Sequence, residues 1–424
     1  MRRLRVAVWV AALIVALGTL TVHAENWHQF AGVNRDAKSG ETGLIEKWPD
    51  GGPETMWTVD MGVGFGAPVV YGDKVYVVDR EKGKSDILRC LDLESGKEQW
   101  RYAWEAKGGL PFPGSRAQPL VEGKYLYAIG ARGDLYCFNR KTHTPVWNLD
   151  ILEEYGGKLP NWGCSQAPLA YGDTVIAMPN GSKAGVVAFD KETGEEVWTS
   201  PPFEDRSRGS YCSPMLTTIG GVDQVLATTP AETMGVNAKT GEKLWSYKEW
   251  FCKIPITSPV HMGDGRVLIT GGYEAGTDMV QVTKSDNGEF SVEQIWRNAD
   301  VNCQIHQPIY YKDHIYIMGN SNRARGGLMC LDMQGNVVWK TGRDPNFQRG
   351  GMLLAQDMLF AVDAQGQGRD VPVVLIDPSS SGYKELGRTN YLKKPKAWSP
   401  PVLSEGRLLI RDQKQMKCLD VRAK

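Results

Sequence analysis

The sequence predicts an all-β fold, an eight-bladed β-propeller of four-stranded antiparallel blades whose ring is closed by pairing of the N- and C-terminal strands. Two series of recurring residues predict it. The first is the motif Asp-x-x-Ser/Thr-Gly-x-x-x-Trp, which runs from Asp92 to Trp100 and returns from Asp190 to Trp198. A variant that begins with Asn runs from Asn237 to Trp245, and a copy without the glycine runs from Asn139 to Trp147. Units that cannot bury their faces alone and repeat at this spacing are typical of propellers.

The second series marks the start of each repeat and gives their number. A proline precedes a short apolar run at Pro68, then at positions 119, 168, 214, 259, 308 and 401, with Met352 in the remaining slot. The tryptophans at 57, 100, 147, 198, 245, 296 and 339 follow the same period, 43 to 51 residues apart. Eight starts predict eight blades in one domain.

Each repeat is predicted to form four short strands. In the first repeat these strands are expected at Val69–Tyr71, Lys74–Val78, Ile87–Asp92 and Glu98–Tyr102. Gly96 tolerates a positive φ in the last turn, where Asp92 is expected to accept hydrogen bonds from backbone N–H groups. Trp100 is expected to fill the gap between adjacent blades, whereas Trp104 is expected to lie in a connecting loop.

The two ends of the repeat region predict how the ring closes. The last repeat supplies strands from Val402 to Ile410 and from Met416 to Val421, with no fourth strand after them. The segment Trp57–Asp60 precedes the first repeat and has no blade of its own, so it is expected to pair with Met416–Val421. This closure removes exposed sheet edges. The propeller is therefore assigned to residues 57–424, and residues 25–56 are expected to lie across a face or the rim as an N-terminal extension.

Residues 1–24 are predicted to be a signal peptide. Arg2, Arg3 and Arg5 form a positive segment, residues 6–20 are apolar, and Val22-His23-Ala24 offers a cleavage site. The apolar run is shorter than the ~20 residues that cross a bilayer core, and no later run approaches that length. We therefore expect an exported protein, periplasmic or extracellular, with no membrane span after cleavage.

The composition excludes two classes of protein. The chain of 424 residues has 49 basic and 49 acidic residues and 42% hydrophobic residues. This balance argues against a disordered chain and against a polybasic nucleic-acid binder. No phosphate-binding glycine loop or HExxH helix is present in the sequence. We expect a monomer with no nucleic-acid partner.

The eight cysteines divide into two groups. One group shares a repeat position on the third strand and is expected in the core: Cys90, Cys137, Cys330 and Cys418. The other group lies in loops near the channel mouth: Cys164, Cys212, Cys252 and Cys303. For this second group a disulfide such as Cys164–Cys212, a thiolate metal site and free buried thiols all stay open.

The repeat motif resembles the pyrroloquinoline quinone (PQQ) repeat of quinoprotein alcohol dehydrogenases and of BamB, the outer-membrane assembly lipoprotein. The resemblance covers Trp57 to the C-terminus, and the segment Trp27–Gly32 is similar to the start of many secreted bacterial PQQ-like propellers. It implies the propeller fold, a PQQ cofactor held at the channel mouth if the chain is a dehydrogenase, and a protein partner if it is BamB-like. No cysteine for a lipid anchor follows Ala24, and the adjacent cysteine pair typical of the dehydrogenases is absent from the sequence. Fold alone does not decide between these functions.

The residues that precede each innermost strand should converge at the channel mouth. The four residues before each of the eight innermost strands make 32 in all, and none of these 32 residues is Asp or Glu. The candidate ligand-binding residues among them are Arg116, Gln166, Tyr211, His306, Arg349 and Trp398. Arginine binds carboxylates in bidentate geometry and aromatic rings offer a stacking face, so a flat or carboxylated anion is the expected ligand. Alternatively, the arginines pair with carboxylates of longer loops, such as Glu153, Glu154 or Asp205.

Two function classes stay open. The first is a secreted, non-catalytic propeller that binds a protein partner or a small anionic ligand at its mouth or rim, with no catalytic residue, metal site or cofactor. The alternative is a PQQ-dependent alcohol dehydrogenase-like oxidoreductase, which needs calcium ligands and a carboxylate base. Asp300 with Asn302, or Asp344 with Asn346, are the residues that could supply such ligands from earlier in their loops.

Overall fold

The computed structural model describes residues 25–81, 83–204, 209–320, 325–364, 370–393 and 396–424. Within these ranges the chain is almost entirely strands and turns, with one short helix, α1 (Ile151–Tyr155). None of the helical structure in these ranges has the length and apolarity of a membrane-spanning segment. The predicted signal peptide, residues 1–24, lies outside the described residues.

The first half of the chain forms two N-terminal strands and blades 1 to 4. Each blade consists of four consecutive strands. The strands are β1 (Lys38–Ser39) and β2 (Glu54–Asp60); β3 (Val69–Tyr71), β4 (Lys74–Glu81), β5 (Ser85–Asp92) and β6 (Glu98–Glu105); β7 (Leu120–Glu122), β8 (Tyr125–Ile129), β9 (Asp134–Asn139) and β10 (Thr144–Asp150); β11 (Leu169–Tyr171), β12 (Thr174–Ala177), β13 (Val187–Asp190) and β14 (Glu196–Thr199); β15 (Met215–Ile219), β16 (Val222–Thr229), β17 (Glu232–Asn237) and β18 (Lys243–Tyr247).

The second half forms blades 5 to 7 in the same way and three strands of blade 8. The strands are β19 (Val260–His261), β20 (Arg266–Gly271), β21 (Gly276–Lys284) and β22 (Phe290–Asn298); β23 (Ile309–Tyr311), β24 (His314–Asn320), β25 (Arg325–Asp332) and β26 (Val337–Lys340); β27 (Met352–Ala355), β28 (Met358–Val362), β29 (Val371–Asp377) and β30 (Lys384–Leu392); β31 (Val402–Ser404), β32 (Arg407–Arg411) and β33 (Gln415–Asp420). The eight antiparallel sheets confirm the predicted eight-bladed propeller.

The ring closes through the strand that the sequence predicted. The last sheet has the order β2-β33-β32-β31, so the N-terminal strand is its outermost member. In the antiparallel register Trp57 lies opposite Cys418, and Asp60 lies opposite Gln415. Closure by main-chain hydrogen bonds leaves no unpaired edge between the first and last blades.

A β-bulge recurs at one position in every blade. It lies between the third and fourth strands, next to the repeat tryptophan or its equivalent. In blade 1 the bulge follows the pair Cys90 and Trp100. A bulge bends a strand and changes the direction of a side chain. Here it accompanies tryptophans that pack against the following blade.

The tryptophan of one blade packs on the motif glycine of the next. The Trp57 indole N–H donates to the Leu93 carbonyl oxygen at 2.9 Å. A Cβ atom added at Gly96 would lie 2.6 Å from the Trp57 ring, and Gly96 has a φ of 70°. The same contact joins Trp147 to Gly194, Trp198 to Gly241 and Trp296 to Gly335. Glycine is therefore required for two reasons. The backbone is in the left-handed region, and the tryptophan ring occupies the space that a side chain would fill.

Two of the irregular repeats replace this contact with other residues. In the copy without the glycine, His143 has a φ of 61°. Its ring stacks on Trp100 with centroids 4.7 Å apart. In blade 7 the tryptophan position is Gly387, and a Cβ there would lie 2.5 Å from the Cβ of Trp48. Trp48 belongs to the N-terminal extension, so this segment completes the blade that lacks its own tryptophan.

The N-terminal extension also enters the central channel, which differs from the expectation that it only crosses a face or the rim. The carbonyl oxygen of Trp27 accepts a hydrogen bond from Val70 N at 2.8 Å, on an innermost strand. The buried Arg35 guanidinium donates to the carbonyl oxygens of Pro168 and Pro214 at 3.1 and 2.9 Å. The short strand β1 then pairs in parallel with β27. The extension closes the end of the channel that lies opposite the mouth. At this end, hairpin turns join the first and second strands of the blades.

Two further expectations concern the third-strand cysteines and Trp104. The cysteines of the first group are buried on their third strands, as predicted. The expectation for Trp104 was wrong, because Trp104 lies on β6 and is buried against Tyr136, with ring centroids 4.9 Å apart. β6 is longer than the repeat pattern suggested, and its end packs against blade 2.

We expect loss of the closing strand to abolish cooperative unfolding. Removing residues 416–424 deletes most of β33, unpairs β2 and exposes apolar residues of both neighbouring blades. The measurement is a thermal melt followed by circular dichroism. A control that removes only residues 423–424 keeps β33 and should melt cooperatively, and an unchanged transition in the longer truncation would contradict the closure.

We expect Trp198→Ala to lower the free energy of unfolding by ~3–5 kcal/mol, the range for truncating a buried large aromatic side chain. The neighbouring Val197 on the same strand is 53% exposed and serves as the matched control. Val197→Ala should change stability by no more than about 0.5 kcal/mol. Chemical denaturation of both variants makes the comparison, and equal midpoints would show that Trp198 does not join the two blades.

Candidate ligand-binding site at the channel mouth

The channel contains a cavity of about 400 Å³. Its floor is formed by Trp27, Phe30 and Ala31 of the N-terminal extension. Its walls are formed by residues that precede the innermost strands, and Phe112 and Trp162 contribute from longer loops. Small-molecule sites typically have volumes of ~300–1,000 Å³, so the cavity has the size of such a site.

The structure brings five of the six candidate residues to this cavity. Those in its lining are Arg116, Tyr211, His306, Arg349 and Trp398. Gln166 is not in the lining, because its amide group bonds to the protein itself. Gln166 Nε2 donates to the Met178 carbonyl oxygen at 2.7 Å, and Met178 N donates to Gln166 Oε1 at 2.6 Å. Gln166 therefore holds the innermost strand of blade 3 to its own second strand.

A cluster of aromatic rings covers the cavity. Phe65 and Trp398 stack with centroids 5.4 Å apart and an interplanar angle of 27°. Phe112 contacts both of these rings and also Trp162, at a centroid distance of 5.9 Å. Phe112, Trp162 and Tyr273 lie outside the positions before the innermost strands, so sequence reasoning missed them. The one available signal was the run from Gly109 to Gly114, in which two prolines flank Phe112.

Arg116 is fixed by the backbone of the loop that carries Phe112. Its Nη1 donates to the Gly114 carbonyl oxygen at 2.5 Å and its Nη2 to the Phe112 carbonyl oxygen at 2.6 Å. The guanidinium lies 5.1 Å from the centroid of the Phe65 ring. Burial lowers the pKa of Arg116 to about 10, so it stays charged at neutral pH. The alternative was that a carboxylate of a longer loop neutralises Arg116. No such ion pair is formed within the described ranges, and Asp205 lies outside them.

A buried ion pair supports the base of this loop. Arg80 and Asp86 are fully buried and lie 3.0 Å apart. The hydroxyl of Ser115, directly before Arg116, donates to Asp86 at 2.7 Å. Arg80 also donates to the carbonyl oxygen of Ala106, where the loop leaves β6. These contacts anchor both ends of the segment that presents Phe112 and Arg116.

Arg349 forms the opposite charged wall. Its Nε donates to Gln304 Oε1 at 2.8 Å, and its guanidinium lies 5.4 Å from the Trp398 ring centroid. The backbone carbonyl of Arg349 accepts a hydrogen bond from His306 Nε2 at 2.9 Å, which places the proton of neutral His306 on that nitrogen. Burial lowers the pKa of His306 to about 4. His306 is therefore neutral near pH 7 and donates its Nε2 proton to the backbone of Arg349, and its low pKa does not suit a general base at that pH.

The cavity is positively charged. Among the described residues of its lining there is no aspartate or glutamate, whereas two guanidinium groups face it. The residue pairs considered as calcium ligands lie elsewhere. Asn302 Oδ1 accepts from Gly276 N at the start of β21, at 3.0 Å, and neither Asp300 nor Asp344 is in the lining. The described residues contain no cluster of three or more metal-binding side chains, so the donor set around the cavity does not fit calcium.

The second group of cysteines is buried and unbridged in this structure. The predicted alternative of a Cys164–Cys212 disulfide is not formed. Burial raises the pKa of the Cys164 and Cys212 thiols to about 12. At neutral pH these groups are protonated and are poor nucleophiles and poor metal ligands.

Comparison with known proteins gives one family and two kinds of relative. The chain matches the model of the PQQ_2 family, described as outer membrane protein assembly factor BamB, over residues 83–341. BamB of Shewanella oneidensis is 24% identical over 288 residues, which cover 67% of this chain and 66% of that protein. Quinohemoprotein alcohol dehydrogenase of Comamonas testosteroni is 29% identical over 157 residues, 33% of this chain and 21% of that protein. The chain thus spans less than two thirds of the length of these curated relatives.

Solved structures show a likeness of fold. The crystal structure of the Comamonas testosteroni quinohemoprotein alcohol dehydrogenase has a TM-score of 0.64 at 14% identity, covering 94% of this chain and 81% of that chain. A europium-containing methanol dehydrogenase has a TM-score of 0.64 at 12% identity, covering 92% and 88%. At these identities the likeness extends to the propeller and not to its chemistry.

We expect His306 to make the protein less stable in acid. Because burial lowers the folded-state pKa of His306 to about 4, the unfolded chain takes up a proton that the folded chain does not as the pH falls below ~6.5. Between pH 7.5 and 4.5 this contribution amounts to about 2–3 kcal/mol. Denaturation midpoints across this range should fall less steeply in His306→Gln than in the wild type. Parallel pH profiles would contradict the assignment, since His28 and His261 titrate equally in both proteins.

Proposed function

We propose a function for this chain from the premise that it belongs to the PQQ_2 family, described as outer membrane protein assembly factor BamB. The protein is a non-catalytic propeller that binds a flat, anionic small molecule in the cavity at its channel mouth. It acts after export, as the predicted signal peptide implies. The observation that carries the proposal is the pair of arginines on stacked aromatic rings in a cavity lining without described acidic residues.

The chemistry of these groups favours a carboxylated ring. Arg116 and Arg349 lie over Phe65 and Trp398, and these two rings stack on each other. A carboxylate gains charge-assisted hydrogen bonds from a guanidinium, and a flat ring gains contact with the aromatic faces. Since the arginines are already held by backbone and glutamine groups, little side-chain entropy is lost on binding.

The same residues argue against catalysis. Alcohol oxidation needs a base that removes the hydroxyl proton, and the described lining offers no carboxylate for this task. His306 donates its Nε2 proton to a carbonyl oxygen and has a pKa of about 4, so it is not poised as a base near neutral pH. PQQ, a flat tricarboxylate, is an admissible ligand of the arginines and rings, while the residues present do not fit the calcium ion of a dehydrogenase.

A second candidate function is binding of a protein partner, which the family description favours. Large apolar side chains are exposed outside the cavity. Phe251, in the loop between β18 and β19, is 53% exposed. Val146, Val197, Ile295 and Val338 are also exposed, each one residue before a repeat tryptophan on an outermost strand. Exposed apolar residues of this kind contribute to protein interfaces.

We expect the wild type to bind PQQ and simple aromatic dicarboxylates in calorimetric titration, and the variant Arg116→Ala/Arg349→Ala to lose at least tenfold in affinity. The physical reason is loss of both charge-assisted carboxylate contacts. Binding should also weaken as salt concentration rises.

The matched control is Arg101→Ala, since Arg101 lies on β6 and pairs with Glu98 at the surface. This variant should bind as the wild type does. No binding to the wild type, or equal binding to the double variant, would refute the anion site. The exposed apolar surface would then be the remaining candidate site, for a protein.

A further inference from the structure

One glutamine in the cavity wall has a buried side-chain oxygen without a hydrogen-bond partner among the described residues. Gln118 lines the cavity two residues after Arg116 and is 5% exposed. Within the described residues its Oε1 has no hydrogen-bond donor. Leaving a buried amide oxygen unpaired is unfavourable, so a ligand that donates to it gains affinity.

Three other glutamines near the mouth have partners within the protein. Gln307, which also lines the cavity, makes a weak contact from its Nε2 to Met215 Sδ at 4.0 Å. Gln166 forms two bonds with the backbone of Met178, and Gln304 Oε1 accepts from Arg349 Nε. Gln118 differs from them, although Gln118 and Gln166 occupy similar places just before an innermost strand. Its side chain is therefore available to a molecule in the cavity.

Gln118 follows Arg116 along the channel wall and lies on the same side of the channel. Ser115 pairs with Gly64, and β7 begins at Leu120, so the chain between them runs along the channel wall. Pro119 also restricts Gln118 to an extended conformation. In extended chain, residues two apart point to the same side and lie ~6–7 Å apart. Both side chains line the same cavity, so a ring that reaches Arg116 with its carboxylate can reach Gln118 with a group on its far side.

We propose that Gln118 selects aromatic acids that carry a hydroxyl group opposite the carboxylate. The carboxylate lies at the arginines, the ring lies beside Phe65 and Trp398, and the hydroxyl pairs with the Gln118 amide. A hydroxyl donates and accepts, and the terminal torsion of glutamine is broad and roughly two-fold, so the amide can offer either atom. This inference rests on the proposed anion site and names the class of its ligand.

The test compares two probes of similar size, 4-hydroxybenzoate and 4-methylbenzoate, by calorimetric titration. Wild type should bind the hydroxyl compound at least tenfold more tightly, because the methyl group leaves the buried amide unpaired. Gln118→Leu should remove this preference or reverse it. Gln334→Leu, in the exposed turn between β25 and β26, is the matched control and should keep the wild-type preference.

The outcomes separate this inference from the proposed function. If the wild type binds both acids equally and Arg116→Ala/Arg349→Ala loses both, the anion site stands and the role of Gln118 is refuted. If neither acid binds to the wild type but PQQ or the dicarboxylates do, the anion site stands and the role of Gln118 is refuted. If none of these anions binds, both proposals are refuted. Should Gln118→Leu not fold, the comparison of the two acids on the wild type alone decides the matter.

Discussion

The contact between the tryptophan of one blade and the turn of the next holds the ring together. The indole of Trp57 lies on Gly96, and its N–H bonds to the same turn at Leu93. A bulge beside each tryptophan position repeats this geometry around the ring. Where the motif fails, another aromatic residue completes the contact, His143 on Trp100 and Trp48 on Gly387. The repetition sets the spacing of the blades and so the width of the channel.

The site depends on this ring and on three segments added to it. The innermost strands bring Arg116, Arg349 and Trp398 to one mouth because every blade begins there. The loop of Phe112 covers the cavity and is anchored by the buried pair of Arg80 and Asp86. The N-terminal extension closes the other end through Trp27 and Arg35, whose backbone contacts reach several blades. The loop and the extension thus turn an open channel into a cavity.

The relatives of this chain use one architecture for different tasks, as the names of its two kinds of relative show. The charged groups at the mouth limit which chemistry such a ring can perform. Metal-assisted oxidation requires carboxylates and a base, whereas recognition of an anion requires fixed cations and few competing acids. In this chain the fixed cations lie on aromatic rings, and the described lining contains no aspartate or glutamate.

Periodicity in the sequence predicted the number of blades, the pairing of Trp57–Asp60 with Met416–Val421, and most of the candidate residues at the mouth. These features follow from periodic, local patterns, and a residue at a known repeat position must occupy the corresponding place in its blade. The folded structure was needed to show that Phe112 covers the cavity, that Trp104 packs against blade 2, and that the extension closes the channel. It also separated Gln118 from Gln166, which look alike in sequence. These outcomes depend on how non-repeated loops fold over the ring and on which backbone group each side chain reaches, and no periodic pattern contains that information.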